Sequence, residues 1–315
     1  MNEEKRPQIL VVAGPTATGK TRLGIALAQR YGGEIVSADS MQIYRRMDIG
    51  TAKPTSEERA AAPHHMLDIA EPWEDYSVSR YVEDAARCCE DILRRGALPI
   101  LVGGTGLYID SLLSGRDFAG TDTDGALREE LGAEYDRLGG EAMLQKLAAF
   151  DGERAAKLHP ADKRRIVRAI EIYRLTGKTI TQHDLETRAR PARYRAAKIL
   201  LNYAERAQLY AQIDRRVGDM VRAGLFEEVE GLLAEGLSAD CTAMQAIGYK
   251  EAAQALRGEL SREEAAALIR QNSRRYAKRQ LTWFGRDPSA LRIDWEGAPD
   301  LDAALEAIRR RFALP

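Results

Sequence analysis

The sequence predicts an α/β protein, a parallel-sheet core interrupted by a mainly helical insertion. Three observations lead there. Over roughly the first 115 residues, short β-branched apolar runs alternate with amphipathic helical stretches, the pattern of strands covered on both faces by crossover helices. From Gly125 to Gly177 strand-like runs vanish and helical periodicity takes over. A further strand-like run, Lys198 to Tyr203, then returns the chain to the core. The expected domains are a core of residues 1–115 and 198–315 and an insertion of 116–197.

The elements follow in order. Gln8 to Ala13 is short, apolar and stopped by glycine, which reads as a buried strand. A helix is expected from Gly19 to Tyr31, then a second strand over Glu34 to Ser37. His64-His65 behind Pro63 reads as a turn with packing histidines. A charged amphipathic helix covers Ser79 to Arg95 and stops at Gly96. The third strand, Leu98 to Val102, runs into Gly103-Gly104. Inside the insertion, Gly139-Gly140, Asp151-Gly152 and His159-Pro160 mark helix breaks. Helices continue after Tyr203 as far as Phe284.

Composition excludes several classes. At 44% hydrophobic and 30% charged over 315 residues, the chain can bury a core. Three cysteines, two adjacent at Cys88-Cys89, give neither a disulfide framework nor metal-ligand spacing and point to a reducing compartment. The charged N-terminus, MNEEKRPQ, does not read as a signal peptide, and no apolar run approaches the ~18 residues of a membrane span. The expected location is cytoplasmic, with no membrane partner.

Gly14-Pro15-Thr16-Ala17-Thr18-Gly19-Lys20-Thr21 is a complete G-x-x-x-x-G-K-[ST] motif set between strand and helix. Backbone N–H groups of such a loop and the following helix N-terminus face an anion. Lys20 is expected to reach a distal phosphate and Thr21 to bind Mg²⁺. The core is therefore a P-loop NTPase-like parallel sheet. Asp39, just past the second strand, lies at the same sheet edge; it could take a proton there, or simply close a turn. Gly103-Gly104-Thr105-Gly106 could let a ligand approach backbone, or make a tight turn. ATPases place an acidic Mg²⁺-organising residue at the end of such an apolar strand, and here glycines stand there.

Basic residues are unevenly spread. Glu153 to Lys198 holds 13 Lys/Arg against 5 Asp/Glu, whereas the whole chain is −1. Arg270 to Arg286 holds 6 Lys/Arg and no acid, interleaved with Tyr276, Trp283 and Phe284. Solvated helix faces would explain either segment alone. Together, beside a phosphate site, they favour contact with nucleic acid.

Longer blocks carry a resemblance. Beyond the P-loop they are Asp39-Ser40-Met41-Gln42 with Tyr44; Met47 to Pro54 (MDIGTAKP); Gly103 to Tyr108 (GGTGLY); His159-Pro160 with Arg164 to Arg168; Ala246 to Lys250 (AIGYK); and Tyr276 to Phe284 (YAKRQLTWF). In this set and order, over nearly the whole chain, the sequence resembles the bacterial tRNA dimethylallyltransferase family, also named tRNA isopentenyltransferases or IPP transferases. The resemblance implies transfer of a dimethylallyl group from dimethylallyl diphosphate to N6 of adenosine 37 in tRNA, with release of diphosphate. It implies that the P-loop holds the prenyl diphosphate with Mg²⁺ at Thr21, that Arg216 meets the same diphosphate, and that Asp39 is the base. It implies tRNA contacts at Asp39, Ser40, Met41, Gln42, Thr105, Arg128, Arg164, Arg165, Ile166, Val167 and Arg168, then at Gly248, Tyr249, Lys250, Lys278, Arg279, Gln280 and Trp283. The expected partner is the anticodon stem-loop, met by a monomer. One departure is visible: Gly285 separates Phe284 from Arg286, where the family carries arginine directly after the phenylalanine. Three other readings remain: an ATP-using P-loop kinase, a prenyltransferase acting on free AMP or ATP, and a nucleotide-gated RNA-binding protein.

Overall fold

The computed structural model describes residues 7–115, 125–189 and 191–314. The charged N-terminus, the start of the expected insertion (116–124) and Arg190 of the basic run lie outside the described residues. The chain divides into two compact units, Met1–Leu113 with Tyr194–Pro315, and Ser114–Arg193.

The first unit is built on six parallel strands: β1 (Gln8–Ala13), β2 (Gly33–Ala38), β3 (His64–His65), β4 (Leu98–Gly103), β5 (Arg195–Tyr203) and β6 (Leu291–Trp295). Their spatial order is β3-β2-β4-β1-β5-β6. Parallel strands need crossovers, supplied between β1 and β4 by α1 (Lys20–Tyr31), α2 (Ser56–Ala61) and α3 (Val78–Arg94). Next comes α4 (Gly106–Ser114). Leu10 and Val12 of β1 pack with Leu23 and Leu27 of α1 and with Ile199 and Leu201 of β5, all fully buried. Each such side chain contributes about 1.5–3 kcal/mol of transfer free energy. Ser77 caps α3 by accepting from the Arg80 N–H, and the helix buries Tyr81, Val82, Ala85, Ala86, Cys89 and Ile92.

The sequence places three of these strands correctly to within a residue or two but misses the edges. His64-His65 is not merely a turn: it pairs in register with Ile35 and Val36 as the edge strand β3. His65 Nε2 meets Glu34 there, which also receives Arg95. At the opposite edge β6 pairs with Ile199 to Tyr203.

The second unit is helical: α5 (Gly125–Leu138), α6 (Gly140–Ala148), α7 (Gly152–Ala155), α8 (Lys163–Thr176) and α9 (Ile180–Ala189). Its helices break at the glycine and His-Pro positions named above. Leu131, Met143, Leu147, Ile166, Val167 and Ile170 form its core.

After β5 the first unit adds α10 (Arg206–Arg222), α11 (Leu225–Ala234), α12 (Tyr249–Leu256), α13 (Arg262–Phe284) and α14 (Leu301–Phe312). A capping box starts α13: Ser261 accepts from the Glu264 N–H and Glu264 from the Ser261 N–H. No helix among the described residues is long and apolar enough to cross a membrane.

Candidate active site at the carboxyl ends of the sheet

The carboxyl ends of β1, β2 and β4 bring three loops together. Gly14 leaves β1 at φ 144°, and a Cβ there would stand 2.3 Å from the Leu201 carbonyl oxygen, so only glycine fits. Within the loop, the Thr18 hydroxyl donates to Pro15 O at 2.9 Å, and the buried Trp295 indole of β6 donates to Thr18 O at 3.0 Å. No side chain caps α1, whose N-cap is Gly19. Its first amides are left for an anion, as the motif requires.

Gln280 of α13 braces the loop from the other side. Its Oε1 accepts the Thr16 N–H at 3.0 Å, its Nε2 donates to Gly104 O at 2.9 Å, and the side chain is 5% exposed. A Cβ on Gly104 would sit 2.3 Å from that Nε2, which explains why a glycine directly follows β4. Gln280→Leu leaves a buried donor and acceptor unpaired and is expected to cost about 1–3 kcal/mol, read as a lower urea midpoint.

After β2, Asp39 Oδ1 accepts the Met41 and Gln42 N–H groups at 2.9 and 3.3 Å. The turn function of this aspartate is thus real, and it coexists with a place in the cavity wall. Thr105 fixes the same loop: its Oγ1 accepts the Ser40 N–H at 3.1 Å, and its own N–H donates to Ala38 O at 3.1 Å.

Two cavities meet over these loops. One, about 370 Å³, is lined by the P-loop from Thr16 onward, Gln42, Gly103 and Gly104. The other, about 270 Å³, is lined by Ser40, Met41, Gly50 and Thr51 and by apolar groups of α10 and α13, Ile213, Val217, Met220 and Ile269. Thr16, Asp39, Arg216 and Tyr276 line both. A polar chamber opening into a more apolar one across a carboxylate suits a ligand with an anionic head and an apolar tail.

Electrostatics point the same way. Burial, then the Arg216 charge, push the Lys20 ammonium down to about 7 against a partly offsetting pull from Asp39. Burial also lowers Arg216, with Asp39 opposing. Lys20 Nζ donates to Pro15 O at 2.7 Å. Two desolvated cations facing one carboxylate leave an excess of positive charge that a diphosphate would neutralise. Bound polyanion raises the Lys20 pKa, so binding takes up a proton above pH ~7 and weakens as pH rises toward the ordinary lysine value of 10.5. Calorimetry in buffers of different ionisation enthalpy at pH 8–9 is expected to show uptake; none would mean that Lys20 is already charged.

The remaining expected tRNA-facing residues divide. Lys278 and Arg279 are exposed on α13 and Lys250 on α12, while Arg164 and Arg165 are exposed on α8. Trp283 is 37% exposed and donates its indole N–H to Asp110 at 2.8 Å. Arg286 survives the Gly285 insertion as a cation stacked 5.9 Å over the Trp283 ring.

Other expected residues have structural roles within the protein. Ile166 and Val167 are core residues of the helical unit, 0% and 5% exposed, because α8 turns that stripe inward. Arg128 and Arg168 both pair with the fully buried Glu171, and a buried carboxylate without such partners would be strongly destabilising. The Tyr249 side chain is buried, its hydroxyl donating to Glu228, so it presents no ring to a ligand. Gln280 braces the P-loop instead of facing outward. Gly248, at φ 104°, starts α12.

Tyr276 has a place in the site that its sequence block does not announce. Its hydroxyl donates to Gly104 O at 3.4 Å, and burial followed by the Asp39 charge raise it to about 12. The i, i+4 spacing to Gln280 could have placed both on one face. Likewise Ile213, Val217 and Met220 recur at helical spacing around Arg216.

The fold and site define a class: a P-loop α/β protein whose phosphate cradle faces a carboxylate after β2 and cations, with no acidic residue at the end of β4. The IPP transferase family model matches residues 42–287, and an isopentenyl transferase model matches 7–68. The chain belongs to the IPP transferase family. It is 45% identical to a tRNA dimethylallyltransferase of Pelotomaculum thermopropionicum, over 98% of each chain, and 48% identical to one of Caldanaerobacter subterraneus, over 88% of each. Among solved structures it is similar to a full-length tRNA isopentenylpyrophosphate transferase of Bacillus halodurans (TM-score 0.73, 41% identity, 98% and 96% coverage). It is also similar to a eukaryotic dimethylallyltransferase acting on tRNA (TM-score 0.82, 28% identity, 98% of this chain and 80% of the other).

Proposed function

We propose that this chain transfers the dimethylallyl group of dimethylallyl diphosphate to N6 of adenosine 37 in tRNA. The observation that carries this reading is the junction of the two cavities at Asp39 and Arg216, between a diphosphate cradle and an apolar chamber.

In this mechanism the diphosphate lies on the P-loop amides, Lys20 and Arg216, and the allylic carbon points to the junction. N6 forms a bond to that carbon as its C–O bond breaks; the bonding electrons leave with diphosphate. Positive charge beside the leaving oxygen favours the transition state over the ground state, because negative charge grows there. N6 loses its proton to Asp39. The adenine must leave its stack to reach this depth.

The half-buried Thr21 hydroxyl, with no partner of its own among the described residues, suits Mg²⁺, which keeps waters and needs few protein oxygens. No His, Cys, Asp and Glu cluster among the described residues would form an all-protein cage. Such an ion would supply further charge neutralisation to the departing diphosphate.

Exposed Lys278, Arg279, Arg164 and Arg165 are the surface cations suited to the anticodon stem-loop. Replacing Lys278 and Arg279 with alanine is expected to weaken tRNA binding and to lower the slope of log K against log salt by about 1 for each phosphate no longer neutralised. An unchanged slope would make them solvated charges only. The proposed state is a monomer, and a tRNA substrate supports a cytoplasmic location. Digestion of the product tRNA tests the assignment: prenylated nucleoside at position 37 is expected, and modification elsewhere would refute it.

A further inference from the structure

We propose that Glu228, on the far side of the Met47–Pro54 loop from the substrate, is a positioning residue that sets the place of Arg216; this rests on the function just proposed. The loop turns back on itself, Ala52 N–H donating to Ile49 O and Lys53 N–H to Asp48 O. Three consecutive amides, those of Asp48, Ile49 and Gly50, consequently point one way. A nest of this kind binds an anion. Here the anion is internal: Glu228 Oε2 accepts from Asp48 and Ile49, both at 2.8 Å, and Oε1 from Gly50 at 3.2 Å. The Tyr249 hydroxyl also donates to Oε1, and its ring packs on Gly50, where a Cβ would stand 2.4 Å from Cε2.

From this anchor the chain runs directly to the reacting groups. Gly50 and Thr51 line the apolar cavity. Thr51 O accepts from Gln42 Nε2 at 3.2 Å and from Arg216 Nη2 at 3.5 Å, the one acceptor Arg216 meets among the described residues. Gln42 in turn donates its N–H to Asp39. The carboxylate thus fixes a carbonyl that both orients the Arg216 guanidinium and braces the Asp39 turn. Four donors converge on two oxygens, a demand met by a carboxylate and not by an amide: in either orientation, the NH₂ of a glutamine would face two of them.

The test uses Glu228→Gln and, because that variant could lose stability, Tyr249→Phe, which keeps the packed ring and removes one donor. The first readout needs no turnover. Phenylglyoxal labelling is followed at Arg216 by peptide mass spectrometry, with exposed Arg215 as internal reference. Several-fold faster labelling of Arg216 is expected in Glu228→Gln, with Tyr249→Phe between it and wild type. Equal rates in all three would overturn the proposal. The second readout is kinetic: kcat is expected to fall by about 10- to 100-fold, the scale of a small misplacement of a catalytic group, while affinity for inorganic diphosphate falls by less, because the P-loop amides and Lys20 still hold it. Loss of kcat strictly in proportion to folded protein would mean a purely structural role. A wild-type chain inactive on tRNA would sink the proposed function, and the labelling comparison would still decide the role of Glu228.

Discussion

Asp39→Asn is expected to lower kcat by about 10²–10⁴, the range of a general base, while diphosphate binding largely survives. The substitution is sharper than alanine. An asparagine Oδ1 can still accept from Met41 and Gln42, so the turn that places Ser40 and Gln42 is kept and only the proton acceptor is removed. Removing the charge also removes the pull that keeps Lys20 from falling further. The pH at which diphosphate binding weakens is therefore expected to shift downward. Single-turnover assays beside calorimetric titration with diphosphate check both statements. Full activity in Asp39→Asn would reduce this carboxylate to its turn role.

Lys20→Met has the second large effect. A charge-assisted hydrogen bond contributes about 1.5–3 kcal/mol, roughly ten- to more than hundredfold in affinity. The interaction strengthens as the leaving group gains charge, so kcat is expected to fall as well as affinity. The loop's own conformation should survive the change, because the Thr18 hydroxyl still donates to Pro15 O. Proton uptake on binding should vanish with the lysine. A variant that binds diphosphate as tightly as wild type, with uptake intact, would assign the titrating group elsewhere.

Local chemistry makes much of this legible in the sequence. The P-loop and the strand before it are contiguous, and glycine, lysine and threonine at fixed spacing announce their own geometry. The turn-or-base ambiguity at Asp39 is real, since one oxygen serves the turn while the group lines both cavities. What escapes is long-range or depends on facing. Ile166 and Val167 sit among arginines in a basic block, and only the packing of α8 reveals that they turn inward. Gln280 lies between exposed Arg279 and half-exposed Trp283, yet its partners, Thr16 and Gly104, are 264 and 176 residues away. The edge strand β6 is five residues with polar positions between Leu291, Ile293 and Trp295, too short to stand out before its pairing with β5 is seen. Glu228 carries no motif at all; its meaning comes from three amides on a distant loop.

The most direct test of the central claim supplies radiolabelled dimethylallyl diphosphate with unmodified tRNA, and separately with AMP. Label is expected in tRNA, at the adenosine 37 base, with equimolar diphosphate released. Transfer to AMP with none to tRNA would contradict the account.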